Sequence, residues 1–227
     1  MALVCDEFKF IYFLAPGTGS SSLYQYFLDN FDVERVPDSD ENVMSEDGKV
    51  LLKSKHSTFK ELKENNLLSP ERLEYLRITG TRNPYDYFYA EWYRSRTRFS
   101  KLLADENSWI YRTPKGRKRI AEIVDSILLE FPDWLEKRLG AKYKQKKRAM
   151  LHPEYIHQAD AFIRMENMER DIHNILLEHC NVDKKVKVPK KNITDRDRCY
   201  WQHYTTSARD IVATVFKPYL NKFDYSF

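Results

Sequence analysis

Residues 10–27 read FIYFLAPGTGSSSLYQYF, an apolar run that stops at a proline, turns through two glycines, crosses three serines and resumes with helical spacing. No other stretch of the chain limits its fold so strongly. The aromatic and β-branched residues of 8–14 predict a buried strand. Leu23, Tyr26, Phe27 and Phe31 fall along one face of a helix that follows. The chain holds only 6 glycines, and Gly17 and Gly19 both stand in the connection. Glycine admits tight backbone turns, so several N–H groups there can converge on one anion. Thr18, Ser20, Ser21 and Ser22 add hydroxyls, and the helix start adds partial positive charge. The loop lacks the Gly-Lys-Ser/Thr ending of a nucleotide-triphosphate loop. An ordinary strand–helix turn with a serine cap accounts for the same residues without a ligand.

Further strands are predicted at 49–53, 75–82 and 160–166, each followed by a helix signal. TFKE (58–61) is a capping box with Thr58 at the N-cap and Glu61 three residues on. NPYD (83–86) offers Asn83 as cap, Pro84 at the first helical position and Asp86 in the first turn. TDRD (194–197) repeats that logic before a long helical C-terminal stretch. Residues 94–158 read as helical and strongly charged. Strands alternating with helices predict an α/β fold, a central mostly parallel sheet flanked by helices. Without repeats or a low-complexity linker, residues 1–227 are expected to form a single domain.

The composition, 42% hydrophobic and 32% charged, suits a soluble protein, and the mild net charge of +4 gives no nucleic-acid signature. Basic clusters at 112–119 and 142–148 are solvated faces or a field that attracts an anionic substrate. Cys5, Cys180 and Cys199 are too few and too scattered for a disulfide framework or a zinc site. An N-terminus interrupted by acids reads as neither signal peptide nor anchor, so a cytoplasmic placement with no membrane partner is expected.

Two more stretches join a strand end to a helix start, where α/β proteins bind ligands. In ITGTRNPYDYF (78–88), Arg82 precedes the capped helix and is placed to grip a phosphate. A structural salt bridge is the alternative there. In LLKSKHSTFKEL (51–62), His56 lies between a strand and the Thr58 cap, with Lys53 and Lys55 beside it. A lone histidine is usually structural, but one flanked by lysines at a strand end is suited to taking a proton while they hold negative charge. Arg164 and Glu166 read as a structural ion pair.

These stretches, in this order, resemble the sulfotransferase superfamily, and within it the carbohydrate-type branch that uses 3′-phosphoadenosine 5′-phosphosulfate (PAPS). PGTGSSSL (16–23) is similar to the loop that wraps the 5′-phosphosulfate, and RNPYDYFYAEW (82–92) to the segment that holds the 3′-phosphate. KHSTFKEL (55–62), DAFIRMENMERDI (160–172) and the tail from Ala208 are similar to further family segments, leaving about 95–150 uncovered. The family's loop lysine falls at Gly17 and its later serine at Ala90, where Arg94, Ser95 or Arg96 is the expected substitute. The resemblance implies a P-loop-like sulfotransferase fold and in-line transfer of the sulfuryl group of PAPS to a hydroxyl or amine, with PAP as product and no metal. It implies His56 as base, with Lys53 or Lys55 supplying the charge lost at Gly17. Gly17, Thr18, Gly19, Ser20, Ser21 and Ser22 would bind the donor, with Arg82 and Lys191 on the 3′-phosphate.

The acceptor expected is a small metabolite or glycan, walled by residues 91–112, and the protein a monomer or homodimer. Two other functions fit the residues. One is a catalytically weak, nucleotide-binding module for polyanions, favoured by Gly17 and Ala90. The other is a P-loop-type small-molecule kinase, disfavoured by the missing loop lysine and the lack of a clear magnesium-binding carboxylate after the loop.

Overall fold

The structure is a computed structural model that describes residues 1–39, 41–45, 50–112 and 114–227, with backbone alone at 114 and 115. Lys49, in the strand expected at 49–53, and 113–115 of the basic cluster at 112–119 therefore lie wholly or partly outside the description. In chain order the elements are β1 (Ala2–Cys5), β2 (Phe10–Phe13), α1 (Ser20–Asn30), β3 (Glu34–Val36), β4 (Val43–Met44), β5 (Val50–Leu52), α2 (Phe59–Glu64), β6 (Leu76–Thr81) and α3 (Pro84–Thr97). They continue with α4 (Trp109–Arg112), α5 (Pro114–Leu128), α6 (Phe131–Lys144), α7 (Pro153–Ile156), β7 (Ala161–Arg164), α8 (Met168–Cys180), α9 (Thr206–Val215) and α10 (Lys217–Phe223). They fall into two compact units, Met1–Arg82 with His152–Ile193 and Asn83–Leu151 with Thr194–Phe227.

The first unit is α/β. Its five-stranded sheet has the order β3-β1-β2-β6-β7. β2, β6 and β7 form a parallel core, and β1 runs antiparallel to both of its neighbours. Alternation along the strands divides the side chains between two covered faces. Leu3, Phe10, Tyr12, Ile78 and Ile163 meet Leu23, Tyr26 and Phe27 of α1 and Ile172, Ile175 and Leu176 of α8. Ala2, Val4, Ile11 and Phe13 meet Leu62 of α2 and Tyr155 of α7. The helical face expected at 23–27 is thus the packed one. Phe31 closes α1 as its C-cap and packs edge-on against Phe8 and Phe10.

The expected strands 8–14, 75–82 and 160–166 are β2, β6 and β7. The one expected at 49–53 forms as β5, but its place in the central sheet is corrected: among the described residues it pairs with β4 in a separate two-stranded sheet. Val50 and Leu51 are exposed and only Leu52 reaches the core, so this short apolar run is not an interior strand.

The second unit is helical, with α6 packed on α9 and α3 on α5. Tyr89 meets Phe131 edge-on and Phe131 meets Tyr204, rings worth about 0.5–1.5 kcal/mol per pair beyond the area they bury. Asn83 caps α3 through the Tyr85 N–H, as expected. TDRD does not start a helix, which is a second correction. Asp197 instead accepts the Cys199 N–H at 2.8 Å and faces His203, and α9 begins only at Thr206, capped by Thr205.

Candidate functional site

β2 ends at Phe13 and α1 begins at Ser20, and the turn between them takes backbone angles that explain its glycines. Gly17 has φ 73° and Gly19 φ 76°, both in the left-handed region. The left-handed φ strains any side chain at Gly19, and a methyl group there would stand 2.0 Å from Met168 Cε, so the methionine end would also have to move. Thr18 is buried, its hydroxyl donating to the Ala15 carbonyl at 2.9 Å. It packs so tightly under β6 that a methyl group on Gly80 would meet its Oγ1 at 2.5 Å.

Among the described residues, none accepts a close, well-aligned hydrogen bond from the N–H groups of Gly17, Thr18, Gly19, Ser20 or Ser21. The first intrahelical bonds run from Ser22 and Leu23 to the Gly19 carbonyl. A run of open amides at a helix start is a ready anion-binding arrangement. The stretch 16–22 carries no acidic side chain.

Three other segments converge on this loop. Arg82, at the end of β6, is buried and donates from Nη1 to the Gly17 carbonyl at 2.9 Å. The Lys191 N–H donates to Ser22 Oγ at 3.0 Å, and Asn192 Nδ2 to Ser21 Oγ at 2.7 Å. Both serine hydroxyls accept in these bonds, which leaves their own hydrogens to donate. Lys191 is therefore fixed beside the loop by its backbone, with its side chain exposed.

His56 comes from the segment between β5 and α2. Its Nδ1 stands 2.6 Å from the Leu14 carbonyl, at the mouth of the loop. A carbonyl can only accept, so Nδ1 carries the hydrogen and Nε2 holds the free lone pair. Burial pushes the imidazole down to about 4, against the Leu14 carbonyl, with Lys55 and His152 adding to the depression. His56 is accordingly neutral at pH 7. Its φ is 109°, outside the range most side chains adopt.

The two lysines expected to serve the reaction make no hydrogen bond or ion pair with the loop among the described residues. Lys53 pairs with Glu61 at 2.6 Å, the same carboxylate that completes the Thr58 capping box through the Thr58 N–H at 2.7 Å. Burial works to raise Glu61, but Lys53 and Thr58 outweigh it and hold the carboxyl below its usual range. Lys55 is exposed, and among the described residues its ammonium has no ion-pair partner.

In the helical unit, Ala90 is buried and its expected substitutes are engaged. Arg94 binds Glu91, Ser95 accepts from Arg119 at 3.2 Å, and Arg96 reaches Glu130 at 3.3 Å. Arg164 is held bidentately by Asp171 at 2.9 and 2.8 Å.

Sequence reasoning missed Asn192, whose role needs its position on the serines, and Tyr155, whose phenol donates to the His56 carbonyl at 2.5 Å. Neither carries a local signal. The fold and site thus define an α/β protein with an open-amide loop, a buried guanidinium and a neutral imidazole in one unit. Compared with protein-family models, curated proteins and solved structures, the chain finds no match. Among the described residues, no helix is long and apolar enough to cross a membrane.

Proposed function

We propose that this chain is a PAPS-dependent sulfotransferase with a P-loop-like fold, acting on a hydroxyl or amine of a small metabolite or glycan. The observation that carries the reading is the loop 17–21, whose amides are open while Arg82 binds the loop itself. Open N–H groups, two serine hydroxyls and a guanidinium, without a carboxylate, suit a doubly charged phosphosulfate.

When bound, PAPS supplies an activated sulfuryl group. The amides of Gly17–Ser21 would hold its 5′-phosphate and spread the charge that builds there, an arrangement that lowers the barrier because the donors are already aligned. His56 Nε2 would take the acceptor's proton. Arg82, expected on the 3′-phosphate, donates to the Gly17 carbonyl and would also supply the positive charge that Lys53 or Lys55 was expected to bring to the loop.

Calorimetric titration with PAP tests the donor assignment. Arg82→Ala should weaken binding by ~1.5–3 kcal/mol, the range for a charge-assisted hydrogen bond. Equal affinity in wild type and variant would remove Arg82 from the site.

A second reading, nucleotide binding without fast transfer, is favoured by the Lys53–Glu61 pair, which holds that ammonium on α2. Transfer of labelled sulfate from PAPS to any acceptor distinguishes the two.

A further inference from the structure

His56, with φ 109°, occupies a backbone conformation that persists only where the surroundings impose it. One imposing contact comes from its own neighbourhood. Ser57 Oγ donates to the Lys53 carbonyl, and the Thr58 capping box fixes the chain just beyond. Another comes from far along the chain. Tyr155 is buried in the core beneath the sheet, its ring packed with Ile11, Phe13 and Leu62. From there its single hydroxyl hydrogen goes to the His56 carbonyl at 2.5 Å. Leu14 then receives the Nδ1 hydrogen at 2.6 Å. The residue is pinned at both its backbone and its ring.

We propose that Tyr155 is a positioning residue: anchored in the core, it holds the strained His56 backbone so that the imidazole stays on the Leu14 carbonyl with the Nε2 lone pair left to accept a proton. The inference rests on the reading of His56 as the base only for its catalytic consequence. The hold itself is a matter of geometry. A tyrosine that merely filled the core would need its ring and not its hydroxyl.

The test is Tyr155→Phe, which keeps the ring. The charged or titratable groups facing His56 are Lys55 on its own loop, His152 ahead of α7, and the Met1 amine. Phenylalanine changes none of them. An NMR titration of the full chain should show the His56 resonances in the variant moving by at least about one pH unit toward the ordinary histidine value. Sulfuryl transfer should fall about tenfold or more, with the KM for PAPS little changed. Should the variant fail to fold, nitrogen chemical shifts of wild-type His56 still test the ring placement that the hold requires. The geometry requires the Nδ1–H form at neutral pH, and an Nε2–H form would overturn it. An unmoved His56 titration in a folded Tyr155→Phe protein would also overturn the proposal. A moved titration with full transfer activity would instead sustain the hold and remove His56 as the base.

Discussion

His56→Ala should lower sulfuryl transfer by ~10²–10⁴-fold, the usual contribution of a positioned general base, and leave PAP affinity within about threefold. The expectation follows from the tautomer. The Leu14 carbonyl consumes the Nδ1 hydrogen, so the free lone pair is on Nε2. The sign of the pH dependence follows from burial, which depresses the imidazole to about 4. The base form is present above that value, so kcat/KM should stay level from neutral pH down toward it and fall below it. An unshifted histidine would lose activity already near 6.5. The alanine variant should lack this acid limb. A folded variant with unchanged turnover, or a wild-type limb near 6.5, would remove His56 from the chemistry.

Glu91→Ala should destabilise the protein by about 3–5 kcal/mol, the cost of leaving buried charges without their partner. In the helical unit the Glu91 side chain is only 7% exposed, and its two oxygens bind Arg94 and Arg119. Burial works to raise its carboxyl, but the two guanidiniums outweigh it and hold it at about 2. Arg119 keeps Glu122, whereas Arg94 would be left over the Phe99 ring. For a chain of this size the loss corresponds to a fall in Tm of roughly 6–20 °C. A carboxyl with a depressed value contributes stability above about 4.5 and loses it as pH falls toward 2. The difference between wild type and variant should therefore shrink in acid. A thermal melt that matches wild type at pH 7 would show that the two arginines need no buried partner.

What the sequence made legible is what neighbours in the chain decide. The strand–loop–helix at 10–27, the Thr58 capping box and the Asn83 cap are local, and each stands where its residues predict. β1 and β3 were not anticipated. Ala2–Cys5 is too short to signal a strand beside the acids that follow, and Glu34–Val36 is a strand only because its backbone pairs with β1. TDRD failed because Asp197 finds a nearer use, closing a turn on the Cys199 N–H.

The same division holds in the site. Gly17, Gly19, Arg82 and His56 follow strand or loop boundaries and could be picked out by position. Lys53 looked free for catalysis because its pairing with Glu61 depends on where α2 lies. Tyr155 and Asn192 come from distant segments, and only the fold brings them to His56 and the serines.

The turn after β2 is the proposed seat of an adenosine-based sulfate donor. Crystals grown with PAP test this most directly. Its 5′-phosphate should lie within hydrogen-bonding distance of the amides of residues 17–21. A nucleotide bound elsewhere, or an empty loop at saturating PAP, would contradict it.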